Sequence, residues 1–192
     1  MGVFEDLGVM VDGLEDDRAE EFGGDVEEIF RFDVRITPKQ EIEIGVNIAE
    51  LEVDGFPEFG EQYGELAHAF ADLVVQHVGM NTEIFMNKVA DLQELDVKLT
   101  DSEQKIMMGE DTEENGAVLL YSFPVVVMAE EDEDDEKQLG AGFNRSPKAD
   151  LMLKMYGREF IDAEEEYQDE TTDAILEHGV LFMKAVDGIT KL

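Results

Sequence analysis

Three histidines, His68, His77 and His178, are the side chains best suited to proton transfer or metal ligation near neutral pH in this cysteine-free chain. His68 and His77 stand nine residues apart, not at the i, i+4 step that aims two imidazoles of one helix at a zinc ion. His77 falls on an apolar stripe, where a histidine is ordinarily a core or boundary residue. His178, between Glu177 and Gly179, would need an acid–base partner distant in sequence. Any buried carboxylate can act as a general acid or base. With 49 acidic residues, however, adjacent acids arise from composition alone. The run Glu130 to Glu136 offers oxygen ligands for a weakly held Ca²⁺ or Mg²⁺. It lacks the spaced ligands and central glycine of an EF-hand loop, and reads better as a solvated loop.

Nucleophile and nucleotide motifs are missing too. The serines are Ser102, Ser122 and Ser146; none has a histidine near it in sequence, and there is no G-x-S-x-G. There is no phosphate-binding G-x-x-x-x-G-K-[ST], and no G-x-G-x-x-G after a strand. Gly140-Ala-Gly142 is too short and is expected in a loop. The sequence therefore assigns no catalytic, cofactor-binding or metal-ligating residue and implies no cofactor. A protein that is not an enzyme is the expectation.

The elements are easier to read. Val3, Phe4, Leu7, Met10, Val11 and Leu14 fall at helical spacing, predicting an amphipathic helix over about 1–22, packed on its own domain or docked on a neighbour. Phe30, Phe32, Val34 and Ile36 alternate with Arg31, Asp33 and Arg35. Ile42, Ile44, Val46 and Ile48 alternate with Glu41, Glu43, Gly45 and Asn47. Period two means one buried and one solvated face, and Thr37-Pro-Lys-Gln40 is short enough for a hairpin. Arg31 and Arg35 are expected to pair across it with Glu41 and Glu43.

Phe59, Tyr63, Leu66, Phe70, Leu73, Val74 and His77 predict a helix that Pro57 starts and Gly79 ends. A short helix with Asn81 or Thr82 as its cap follows, to Leu92. Strands are expected at 95–99, at 106–108 and at 117–123, the last two joined by a turn at Asn115-Gly116. Val125 to Met128 continues apolar, with Pro124 marking an edge or a bend. The stretch 130–148 reads as an acidic flexible loop, Leu151, Leu153 and Met155 as a strand, and 162–170 as irregular or a solvated helical turn. A last helix starts at Thr171 or Thr172 and aligns Ile175, Gly179, Phe182, Val186 and Ile189. The sum is one α+β domain over 1–192, with a mainly antiparallel sheet covered on one face by helices.

The chain sets 49 acidic residues against 14 basic ones, a formal charge of -35, while 43% of it is hydrophobic. It has enough apolar mass for a core, so the charge does not signal a disordered chain. Such a domain repels itself in dilute buffer. In molar salt the Debye length falls to about 3 Å and the repulsion is screened. Acids spread through almost every segment indicate a salt-adapted surface rather than an acidic tail for cations or basic partners. Direct nucleic-acid binding is not expected, since no basic cluster is present to meet phosphates. The N-terminus shows no signal-peptide pattern, and the longest apolar run, Ala117 to Ala129, is too short to span a bilayer. No membrane partner is expected, and the chain is expected in a cytoplasm or in a virion assembled there.

In composition the chain resembles proteins of haloarchaea and of the viruses that infect them. In organisation it resembles small subunits of tailed-virus particles, such as tail-terminator, tail-tube or neck proteins. The resemblance implies a non-enzymatic structural subunit that self-associates and contacts neighbouring structural subunits. It matches no motif, so it transfers no functional residue. The alternatives are a cytoplasmic haloarchaeal enzyme or ligand-binding protein, and an acidic mimic of nucleic acid.

Overall fold

The computed structural model describes residues 26–49, 57–109, 116–128 and 138–190. Phe30, Phe32 and Val34 form the buried side of β1 (Val26–Ile36). The turn after it brings Gln40 into the left-handed region (φ 65°) and closes through Thr37, whose hydroxyl accepts the Glu41 N–H at 3.0 Å. Strand β2 (Ile42–Ile48) returns antiparallel, with Val34 opposite Ile44 and Phe32 opposite Val46. On its other side β1 pairs antiparallel with β3 (Val118–Met128), Phe32 facing Phe123. Beyond β3 lie two short strands, β4 (Gln138–Ala141) and β5 (Asn144–Arg145), so the order is β2-β1-β3-β4 with β5 also on β3. The expected hairpin and the antiparallel α+β class are both present.

Four helices complete the described residues: α1 (Pro57–Ala90), α2 (Asp101–Met108), α3 (Pro147–Tyr156) and α4 (Arg158–Thr190). The long helices α1 and α4 run antiparallel. Phe70 meets Phe182, His77 meets His178, Asn81 meets Thr171 and Lys88 meets Glu166, so numbers rise along one helix as they fall along the other. Together they cover the apolar face of the sheet. Phe30 lies 4.7 Å from Phe70 and 5.2 Å from Phe182, ring to ring, in tilted and edge-on contacts that suit the aromatic quadrupole. A second aromatic group, Phe85, Tyr121, Phe160 and Tyr167, fills the other end of the core.

Several expectations are corrected. Gly79 does not end a helix. It lies inside α1 where the helix passes β2, and a methyl group there would meet Ile44 Cδ1 at 3.4 Å. The helices expected at 57–79 and 81–92 are thus one, and Asn81 and Thr82 are buried within it rather than capping. Leu73, assigned to the buried stripe, is exposed, and the side chain of Phe59 is outside the described set. Residues 95–99 form no strand, and 106–108 belong to α2. Thr100 caps α2 and Glu103 reaches back to the Thr100 N–H, a reciprocal capping box that outweighs a three-residue apolar run.

Pro124 sits in a central strand, not at an edge. Its carbonyl accepts from Gly142 N–H at 2.7 Å, so its missing N–H faces the break between β4 and β5, where no ladder bond is lost. Residues 138–148 are β4, β5 and the start of α3 rather than loop; the acidic run 130–136 lies outside the described residues. Leu151, Leu153 and Met155 lie on α3, which Ser146 caps and Pro147 opens. Residues 162–170 and Thr171 and Thr172 all lie within α4. Thr171 is buried, accepting from Asn81 Nδ2 at 3.4 Å, and caps nothing. The helix expected over 1–22 lies outside the described residues.

Candidate functional site

The two long helices bring His77 and His178 together, ring centroids 4.7 Å apart and planes tilted by 38°. Both are half-buried at the seam of α1 and α4. His178 thus does have a distant partner, and it is another imidazole. His68 is exposed two and a half turns away, on the opposite side of α1. Among the described residues no group of three or more His, Asp or Glu is placed to hold a metal ion.

A buried charge cluster lies at the other end of the core. Glu164, on the inner face of α4, is almost fully buried, with 3% of its side chain exposed. Tyr121 Oη donates to its Oε1 at 2.8 Å, and Arg145 Nε donates to the same oxygen at 2.9 Å. A second Arg145 nitrogen donates to Oε2, making the pair bidentate. Arg145 also lies 3.6 Å from Asp150 on α3. The cluster therefore ties β3, β5, α3 and α4 together. Burial, reinforced by the Glu164 charge, pushes the Tyr121 phenol up, so it stays a donor. The bond to Glu164 likewise raises the Arg145 guanidinium. Beside the cluster, Tyr167 and Thr82 share a 2.8 Å hydrogen bond, and Thr82 donates to the Val78 carbonyl at 2.6 Å. Burial raises the Tyr167 phenol as well.

The serines are spent structurally. Ser122 Oγ donates to Asp33 Oδ1 at 2.7 Å, Ser146 caps α3, and Ser102 contacts the Thr100 hydroxyl. Two lysines of α3 fasten α2: Lys154 to Glu103 at 2.7 Å and Lys148 to the Met107 carbonyl at 3.2 Å. Both oxygens of Glu164 are engaged, so what the cluster does is hold elements in place.

The surface carries two other marked features. On the sheet face away from the helices, Arg31 makes a bidentate pair with Glu28, both N–O distances 2.9 Å. A bulge between Glu28 and Phe30 turns both onto one side. Arg31 is thus not paired with Glu41 or Glu43: register sets it opposite Asn47, and sets Arg35 opposite Glu43 and 3.8 Å from Asp33. On the helical face, Leu73, Met80, Ile84 and Leu181 are exposed around the histidine pair.

Neither the buried Glu164 nor the histidine pair was readable from spacing, because each joins residues 19 or more positions apart. No protein-family model, curated protein or solved structure matches the chain. Among the described residues no helix is long and apolar enough to cross a membrane.

Proposed function

We propose that the protein is a non-enzymatic structural subunit of a homo-oligomer or of a virus particle (a tail, neck or capsid component), working in a halophilic system. Its partners are further copies of itself and neighbouring structural subunits, in a virion assembled in the host cytoplasm or in the cytoplasm itself. The observation that carries this reading is the unequal treatment of the two sheet faces. One side buries Phe30, Phe32, Val34, Tyr121 and Phe123 under helices. The other presents Arg31 and Arg35, two of the chain's five arginines, half-exposed within an ion-paired surface. On a chain of charge -35, that is a face a second acidic surface approaches at low electrostatic cost. The edge of β2 is a further contact for neighbours.

Sedimentation and particle imaging across a salt series test the reading. A ring, tube or shell is expected in molar KCl, and Arg31→Glu with Arg35→Glu should weaken it. A stable monomer in molar salt overturns the proposal.

A further inference from the structure

Along the seam of α1 and α4, charge disappears just where large apolar side chains reach the surface. Acids fill 49 of 192 positions overall, yet Leu73–Thr82 holds no charged residue, and Ala174–Val186 holds only Glu177 and Lys184. The His77–His178 contact sets these two stretches side by side. Down α1, Leu73 (48% exposed), His77, Met80 (53%) and Ile84 (43%) follow at i, i+4, i+7 and i+11. Down α4, Ala174, His178 and Leu181 (61%) follow at i, i+4 and i+7. Because the helices are antiparallel, Leu73 stands level with Leu181 on one side of the histidine pair, and Met80 with Ala174 on the other. The core uses a different arc of α1, formed by Tyr63, Ala67, Phe70, Val74, Val78 and Phe85.

We infer that this ridge packs on the same ridge of a second copy, about a two-fold axis beside the His77–His178 pair. The inference rests on the assembly reading, for which it names a contact. Charge selects the occupant. A basic partner would be drawn to acids, which this strip lacks. A second copy of charge -35 approaches at least electrostatic cost where acids are absent. An antiparallel helix pair rotated onto itself gives a four-helix layer, the isologous contact that two-fold symmetry requires. Leu and Met at the centre, with exposed Asp72, Glu83 and Glu177 flanking them, follow the usual anatomy of an interface, a charge-poor core inside a polar rim.

Sedimentation equilibrium of the full chain in molar KCl tests it, with Met80→Glu and Leu181→Glu as probes. Met108→Glu is the control, an exposed apolar residue on α2 (66%) away from the ridge. Each ridge variant should weaken self-association at least about thirtyfold, the scale of losing a central contact, while the control stays near wild type. Circular dichroism reports folding, and Met80→Ser with Leu181→Ser replace any glutamate variant that fails to fold. Association unchanged by the ridge variants overturns this contact and leaves the assembly reading standing. Equal loss in the Met108→Glu control also overturns the contact. A wild-type monomer overturns both readings.

Discussion

Glu164 shows how one carboxylate among 49 becomes distinct only in three dimensions. Its neighbours in sequence are Glu165 and Glu166, and nothing in the string Ala-Glu-Glu-Glu marks the first acid as the buried one. Burial of Phe160, Tyr167 and Thr171 one and two turns away turns that face of α4 inward, and Glu164 goes with it. Removing one partner of a buried ion pair costs about 3–5 kcal/mol. Glu164→Ala should fall near 3, since about a third of the Arg145 side chain remains solvated and Asp150 stands beside it. Urea unfolding in molar KCl measures this, and a loss below about 1 kcal/mol would contradict the role given to the cluster. Glu103 is the opposite case, a carboxylate at the surface. The Lys154 ammonium, then the Thr100 N–H, hold its carboxyl down at about 2, against an ordinary 4.5. The folded value is the lower one, so the stabilisation is complete above the ordinary glutamate range and is lost as pH falls through about 2. Carboxyl-carbon NMR should find Glu103 still ionised at pH 3, and Lys154→Ala should move its titration upward.

At the scale of elements, two glycines deep in helices should respond to alanine with opposite signs. At Gly79 a methyl group meets Ile44 at an ordinary contact distance, so Gly79→Ala gains helix propensity, up to about 1 kcal/mol. At Gly179 the methyl group would overlap Leu139 Cδ2, with Phe70 Cε2 4.0 Å away. Overpacking of about 1–3 kcal/mol then exceeds the propensity gain, so Gly179→Ala destabilises. Thermal midpoints of the two variants check both signs, and equal shifts would refute the account. The same contrast explains which elements were legible in the sequence. β1 and β2 were, because four apolar positions on each alternate over a full strand. The C-terminal part of the closing helix was, because Ile175, Gly179, Phe182 and Val186 all face the core. The strands expected at 106–108 and 151–155 rested on three apolar residues each, too few to separate period two from 3.6. The deciding signals lay just upstream, in Thr100-Asp-Ser-Glu103 and Ser146-Pro147, where a cap satisfies the first free N–H groups of a helix. Gly79 misled because a glycine can also stand inside a helix, at a cost of up to about 1 kcal/mol in propensity.

For the molecule as a whole, net charge was fully legible and its layout on the fold was not. Composition gives -35, but only the fold shows that the uncharged stretches of α1 and α4 lie against each other. Raising KCl from about 0.01 M to about 1 M shortens the Debye length from about 30 Å to about 3 Å. The thermal midpoint should climb across that range, and a flat profile would contradict self-repulsion as the main salt-sensitive term. Screening has a second effect, since it also lets acidic copies meet indiscriminately. Of the two sheet borders, the one opposite β2 answers that hazard in backbone terms. It consists of four residues of β4, an interruption at Gly142 and Phe143, and two residues of β5. A foreign strand arriving there finds no continuous row of amides to copy, and an interrupted border is a poor template for fibrous stacking. In brine, where like charge no longer keeps molecules apart, this border stays unfit for strand addition at any ionic strength.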